Sequence, residues 1–339
     1  MKSHNSQAFD RQHVNGLLPV DAVADLIRAG AHLSLAGRPQ ALDKLPAGNW
    51  IAGTTPYVMA AEGSRTIGSD VLFVTDLSPY GDVSFACYGP DELERVSGDA
   101  PENGFALTVV PFGSTCHTRF ANEASSYPAA FLRPAVGWIA GVDLNEAGAE
   151  ALVYDGRTAT AHRDHVVVAN VAFPDDHMAQ VEIVNLFAPD EAATIRFEDT
   201  GFTPEWCDVA GERRKFYDVV VERGRTDGSL PLVGDFAGAH LNASIRTVDA
   251  EKGTVELYAP VFPGVDYSFA KPVADYAAAF REALAGRETD GLVMGCNCIL
   301  NYLFGKLEGQ SIGEIAGPVT FGEIAYQLLN QTLVMVRAV

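Results

Sequence analysis

The sequence predicts an α/β (α+β) protein of two related domains, built from repeated helix–strand–hairpin units with mostly antiparallel or mixed sheets. Three observations carry this expectation. A short apolar run closing on glycine recurs as "WIAGTTPY" from Trp50, "WIAGVDLN" from Trp138 and "EIAGPVTF" from Glu314, with a looser cousin "LVGDFAGA" from Leu232. β-branched or alternating runs bounded by Gly and Asp follow each copy, the pattern of strands joined by hairpins. Apolar residues at helical spacing precede some copies. The unit recurs about four times, so duplication is expected.

Each element has a local reason. "PVDAVADLIRAGAHL" puts Val20, Val23, Ala24, Ile27 and Ala31 at helical spacing. Pro19 suits the first turn, Asp21 the positive N-terminal end, and Gly30 or Gly37 can end the helix. "VADYAAAFREAL" repeats the spacing with Val273, Tyr276, Ala277, Phe280 and Leu284. "VLFVTDL", "ALVYDGRT", "HVVVANVAF" and "QTLVMVRAV" read as strands, and "DAEKGT" around Lys252 as a hairpin turn. A polar, proline-containing break at "FPDDHMAQ" places a domain boundary near Asp175, dividing the chain into 1–174 and 175–339.

Composition narrows the function. The chain of 339 residues is 47% hydrophobic and 20% charged, which marks an ordered globular protein. A net charge of −20 disfavours nucleic acid and anionic membranes as partners, because phosphate binding needs clustered Lys and Arg. No apolar stretch approaches a membrane span, and the polar N-terminus "MKSHNSQAFDRQHVNG" lacks the apolar core of a secretory signal. Five irregularly spaced cysteines point to a reduced, cytoplasmic protein. G-x-G-x-x-G, Walker, G-x-S-x-G and H-E-x-x-H motifs are absent, which removes the usual support for nucleotide, serine-hydrolase and zincin chemistry.

Several clusters could carry chemistry. In "GCNCILNYLFGKLEG" a helix beginning near Gly295 would set its free N–H groups beside Cys296 and Cys298, favouring a thiolate or an anion. The alternative is a pair of small core residues. Asn297 and Asn301 would lie one turn apart on that helix. "STCHTRFANE" sets Cys116 beside His117, with Arg119 able to clamp a carboxylate. Adjacency in a strand would keep Cys116 and His117 from acting as a nucleophile pair. "HRDHVVVANVAFPDDH" carries His162, Asp164, His165, Asp175, Asp176 and His177, yet His162 and His165 would face opposite sides of a strand, so solvated strand ends are expected and no metal site. The basic run from Arg213 to Arg225 fits a helix with a solvated face or a subunit contact. His240, Asn242 and Ser244 would share one strand face and could line the pocket of Glu323.

"GPVTFGEIAYQLLNQT", from Gly317 to Thr332, resembles the closing motif of the FIST C-terminal sensory domain through Gly317, Phe321, Gly322, Glu323, Ile324, Asn330, Thr332 and Leu333. "IAGTTPYVMAAEG" resembles the glycine turn of the FIST N-terminal domain, and "VMGCNCILNYLFG" stands where the C-terminal domain carries a cysteine entering a helix. The resemblance implies FIST N-like and C-like domains over 1–174 and 175–339. It implies an intracellular small-metabolite sensor that signals through a protein partner. In that setting Glu323 would face a cationic or hydrogen-bond-donating group, and Asn297, Asn301 and Asn330 would orient the ligand. Family likeness to haem-binding gas sensors adds a haem variant, with His117 or His240 as the iron ligand. The alternative is an enzyme on a small polar substrate, with Cys296 or Cys298 as nucleophile and Glu323 as general acid or base. A purely structural subunit is the third expectation.

Overall fold

The chain enters through β1 (Asn15–Pro19) and α1 (Val20–Arg28) in the computed structural model, which describes residues 14–60, 62–190 and 192–339. The polar segment read as lacking a secretory core lies mostly outside the described residues. Helix α1 forms as its spacing predicts: Val20, Val23, Ala24 and Ile27 are buried, and Pro19 stands at the N-cap. It ends at Gly30, whose φ of 85° no larger residue adopts readily. The Gly30 amide bonds the Ile27 carbonyl and the Ala31 amide the Leu26 carbonyl, a paired closure that satisfies two otherwise orphaned carbonyls.

Three strand–helix–strand units follow. The first comprises β2 (Leu33–Gly37), α2 (Pro39–Leu42) and β3 (Trp50–Thr54), followed by β4 (Tyr57–Met59), β5 (Arg65–Thr66) and β6 (Val71–Asp76). After β7 (Asp82–Tyr88) and α3 (Arg95–Gly98), the second comprises β8 (Gly104–Pro111), α4 (Thr115–Glu123) and β9 (Ala135–Ala140). Strands β10 (Val153–Asp155), β11 (Thr160–His162), β12 (Val166–Ala172) and β13 (Ala179–Asn185) come next.

An antiparallel insert separates the second unit from the third. It contains β14 (Ile195–Arg196), β15 (Trp206–Val209), β16 (Glu212–Lys215), α5 (Phe216–Glu222), β17 (Leu232–Phe236) and β18 (Ala239–Ala243). The hairpin β19 (Ile245–Asp249) and β20 (Thr254–Leu257) and the strand β21 (Asp266–Phe269) complete it. After α6 (Tyr276–Leu284), the third unit is β22 (Leu292–Cys298), α7 (Ile299–Phe304) and β23 (Gly317–Thr320). Strands β24 (Glu323–Ala325), β25 (Gln327–Leu329) and β26 (Thr332–Ala338) close the chain.

Each unit pairs its two strands in parallel: β2 with β3, β8 with β9 and β22 with β23. An antiparallel strand lies outside the first member of each pair: β6, β12 and β26. The strand outside the second member is exchanged. Strand β4 leaves the first unit for β23, β24 leaves the third for β9, and β10, which follows the second unit, pairs with β3. The three units are therefore linked in a ring. Where the first two meet, a methyl on Gly53 would stand 2.6 Å from both Trp138 and Val109, so close packing there requires glycine.

The mixed and antiparallel sheets agree with the expected α/β (α+β) class. The count of repeats does not. "LVGDFAGA" begins β17 inside the antiparallel insert, so three units are present rather than four. Nor do the three Ile-Ala-Gly copies occupy equivalent places. Gly53 lies in β3 one residue before its end and Gly141 directly follows β9, whereas Gly317 opens β23. The expected boundary at Asp175 falls between β12 and β13, and the strand exchanges β4–β23 and β24–β9 join the chain on either side of it.

The insert has its own core, in which Phe197 packs edge-on against Phe216 and Tyr267. A polar seam docks it. Asn185 of β13 and Asn242 of β18 exchange amide hydrogen bonds at 3.0 Å, and Asn242 also donates to the Asn330 carbonyl at 3.0 Å. Ser244 donates to Oε1 of Gln331 at 2.7 Å, and Nε2 of Gln331 donates to the Ser229 carbonyl at 3.3 Å. Among the described residues, no helix is long and apolar enough to cross a membrane.

Candidate functional site

Glu323 opens β24 directly after Gly322, whose φ of 151° turns the chain out of the third unit and onto β9. Its side chain is fully buried. Oε2 accepts from Oγ1 of Thr332 at 2.8 Å and from the Thr332 amide at 3.2 Å, and Oε1 lies 3.1 Å from Oγ1 of Thr320. Burial raises the carboxyl from its ordinary value of 4.5 to about 8, against the opposing hydrogen bonds of Thr332, Thr320 and Cys298. At neutral pH the group is mainly the acid. Oγ1 of Thr320 also lies 3.2 Å from the Asn297 carbonyl, so its one proton serves the carboxylate when Glu323 is ionised and the carbonyl when Glu323 carries its own.

Cys296, Asn297 and Cys298 belong to β22, not to a helix starting at Gly295. The strand persists because β26 and β23 both pair with it, and the helix begins only at Ile299. Asn301, on the first turn of α7, still reaches back to bond Oδ1 of Asn297 through Nδ2 at 2.9 Å. Nδ2 of Asn297 and Oδ1 of Asn301 are left without protein partners. Both thiols are buried, and desolvation with the nearby Glu323 carboxyl raises them well above the ordinary thiol range. A buried neutral thiol is a packing group, so neither cysteine is poised as a nucleophile. Asn330 is also buried, its Nδ2 3.0 Å from the Leu329 carbonyl.

The sequence candidates therefore divide. Glu323, Asn297, Asn301, Cys296 and Cys298 come together in one polar knot with Thr320 and Thr332, and Asn330 lies on the turn just before Thr332. Glu323 is not among the residues that line the cleft of about 550 Å³ described below, although Phe321 is. Arg119 stands elsewhere, on the outer face of α4, bonded to Glu123 at 3.2 Å and Asp91 at 2.8 Å, so its guanidinium is already engaged by two carboxylates. His240 is exposed on β18, although Asn242 and Ser244 beyond it are buried.

Cys116 and His117 lie on a helix rather than a strand. Gly113, with φ of 76°, turns the chain; Ser114 then caps α4 by accepting from the His117 amide at 2.9 Å. The Asp164 carboxylate accepts from the Cys116 amide at 2.8 Å. His117 is buried between the rings of Phe112 and Phe202, at 5.2 and 6.0 Å, with Nε2 unpartnered. Burial, helped by Arg246, lowers its pKa to about 4. Phe112 and Phe202 crowd His117 on two sides and His240 is exposed on β18, so neither environment is the enclosed apolar slot a haem needs.

His162 and His165 were expected on opposite faces, but a bend at Arg163 and Asp164 brings their rings to 4.6 Å. His177 pairs with Asp176 at 2.9 Å. Among the described residues, no three His, Cys, Asp or Glu side chains form a group able to hold a metal. The basic run divides into β16 and α5, and on α5 Phe216, Val219 and Val220 stand at helical spacing and are buried.

A cleft of about 550 Å³ opens at the carboxyl ends of β8 and β9, the edge where parallel sheets present ligand sites. Phe112, Gly113 and Ser114 follow β8, and Val142 follows β9. Phe321 comes from the turn before Glu323, and Tyr258 from just beyond β20 of the insert. Phe112 is the hinge of an aromatic trio, 6.2 Å from Tyr258 and 5.6 Å from Phe321. The Arg246 guanidinium lies 5.3 Å from the Phe112 ring centre and bonds Glu256 at 2.7 Å. Arg163 pairs with Glu150 at 2.8 Å on the same wall.

Sequence reasoning passed over most of this cleft. Arg246 sits at a register shift between Ile245 and Thr247 in the β19–β20 hairpin, and such a bulge re-aims one side chain without marking the sequence. The usable signal was the Gly113–Ser114 pair, a turn followed by a helix cap.

Fold and cleft together define a three-unit α/β (α+β) protein with an open, aromatic-walled site at a strand-end edge. The chain belongs to a family of unknown function, DUF6976, whose model matches residues 18–339. No curated protein matches the chain.

Proposed function

We propose that this chain is a cytoplasmic small-molecule-binding protein of the FIST-like sensory type, with its ligand seated in the cleft between the second unit and the insert. The cleft carries this reading: it lies where β8 and β9 end, and its walls come from three separate parts of the chain. A ligand bridging Phe112, Phe321 and Tyr258 would tie the insert to the ring of units, which is what a sensor needs to change shape on binding. The Gly317–Leu333 segment supports the FIST-like assignment by its resemblance, and signalling would pass to a protein partner.

Glu323 has a different part in this reading. It secures the turn that carries Phe321 and the strand that starts at Thr332. Native mass spectrometry of the purified chain tests the proposal. A retained metabolite that is lost in Tyr258→Ala, with the fold intact by circular dichroism, is expected. A chain that retains nothing and is not stabilised thermally by any compound of a broad metabolite panel would overturn it.

A further inference from the structure

Resting on that reading of the cleft, we infer that its ligand is a small aromatic carboxylate, its ring held by Phe112, Tyr258 and Phe321 and its anionic end by Arg246 and Arg163. The aromatic trio presents ring faces and edges at 5.6 to 6.2 Å around Phe112, spacing that favours further aromatic contact. Two guanidiniums line the same walls, each paired with one carboxylate, Arg163 with Glu150 and Arg246 with Glu256, so the site is locally balanced on a chain of net charge −20. An acidic surface repels anions in general, so a wall that gathers two guanidiniums with donors to spare is where an anion would settle.

The two arginines are available in different ways. Arg246 rests over Phe112 while bonding Glu256, and guanidiniums that stack on a ring keep in-plane donors for a carboxylate. Arg163 and Glu150 form an exposed pair, which solvent makes easy to open. A carboxylate entering the cleft would take the place of Glu150 on Arg163. Glu150 is thus a competitor built into the wall, and it sets a ceiling on affinity.

Isothermal titration of the full chain with 3-phenylpropionate, 3-phenylpropan-1-ol and succinate tests this inference. The aromatic acid is expected to bind, and the alcohol and the diacid to bind at least about tenfold more weakly, the order for losing a charge-assisted bond or the ring contacts. Arg246→Gln should weaken the acid about tenfold by the same reasoning. Glu150→Gln should tighten it about two- to fivefold, the worth of one exposed ion pair. A purely structural Glu150 would not move affinity in that direction.

Equal binding of acid and alcohol, unaffected by Arg246→Gln, would overturn the anionic assignment and leave the cleft reading standing. So would failure of all three probes when a different retained compound is displaced by Tyr258→Ala. Failure of every probe, with nothing retained by the purified chain, would remove both.

Discussion

Glu323 holds Thr332 at two points, with Oε2 accepting from the Thr332 hydroxyl at 2.8 Å and from its amide at 3.2 Å. Both residues are fully buried, so one carboxyl group fixes where the last strand begins.

That contact predicts a pH dependence. Burial raises the Glu323 carboxyl to about 8, above its ordinary 4.5, so the folded state holds the proton more tightly than the unfolded chain. The stabilisation is complete below the unfolded value and is lost as pH rises through about 8. The slope is about 1.4 kcal/mol per pH unit inside that window. Glu323→Gln keeps an amide donor toward Thr320 and an acceptor toward Thr332, so it should flatten the slope at a cost of about 1 kcal/mol or less. Glu323→Ala should cost about 2–4 kcal/mol. Urea midpoints of wild type and Glu323→Gln at pH 5.5 and 7.5 check this; a wild type that gains on the variant as pH rises would mean the carboxylate is folded in its ionised form.

His117 predicts the opposite slope on the acid side. Its folded pKa of about 4 lies below the ordinary 6.5, through burial first and Arg246 second. Stability from the neutral ring is present above pH 6.5 and is lost as pH falls toward 4. His117→Phe preserves a ring between Phe112 and Phe202 and removes the unpartnered Nε2. The variant should be at least as stable as wild type near pH 5, with a shallower acid limb in thermal melts. An unchanged acid limb would assign it to other groups.

Cys296 and Cys298 should resist alkylation in the native chain. Both are buried with strongly raised thiol pKa values, and the thiolate is the reactive form. Cys87 is half-buried, and desolvation followed by Asp155 raises its thiol to about 11, so it should react slowly and before the other two. Peptide mapping after iodoacetamide at neutral pH, with and without urea, reads the order. Labelling of Cys296 ahead of Cys87 without denaturant would show an opening absent from this fold.

The seam that docks the insert predicts a local effect. Asn242→Ala removes the donor to the Asn330 carbonyl and the partner of Asn185, both at 3.0 Å, leaving buried groups unpaired. A loss of about 1–3 kcal/mol is expected from such orphaned groups. Hydrogen exchange should speed up across β17, β18 and Gln331 while α1 and β2 keep their protection. Uniform loss of protection would mean that the insert and the ring unfold as one unit.

Much of the fold could be read from local chemistry. The buried face of α1, its Gly30 stop and the inward positions of α5 follow from spacing and capping alone. The repeat was legible as a glycine-closed strand, yet the number of units was not, because equivalence depends on which distant strand completes each sheet. Gly317 matches Gly53 in sequence and opens a strand that Gly53 nearly ends. The polar knot was also legible, since Glu323, Asn297 and Asn301 do meet. What could not be read was its burial: a polar strand residue looks the same whether water, ligand or Thr332 satisfies it. Arg246 was invisible for another reason, as its direction comes from a bulge.

The ring of exchanged strands has a consequence for how the chain comes off the ribosome. Strand β9 cannot gain its outer neighbour until β24 has been made, and β23 waits for the much earlier β4 to be held in place. Such long-range pairing raises contact order, and folding slows accordingly. Until β24 is made, the Trp138 strand presents an unpaired apolar edge, a template for aggregation. A chain stopped before Gly317 would keep that edge open permanently, so stalled or truncated products should accumulate as inclusions rather than as a folded N-terminal fragment.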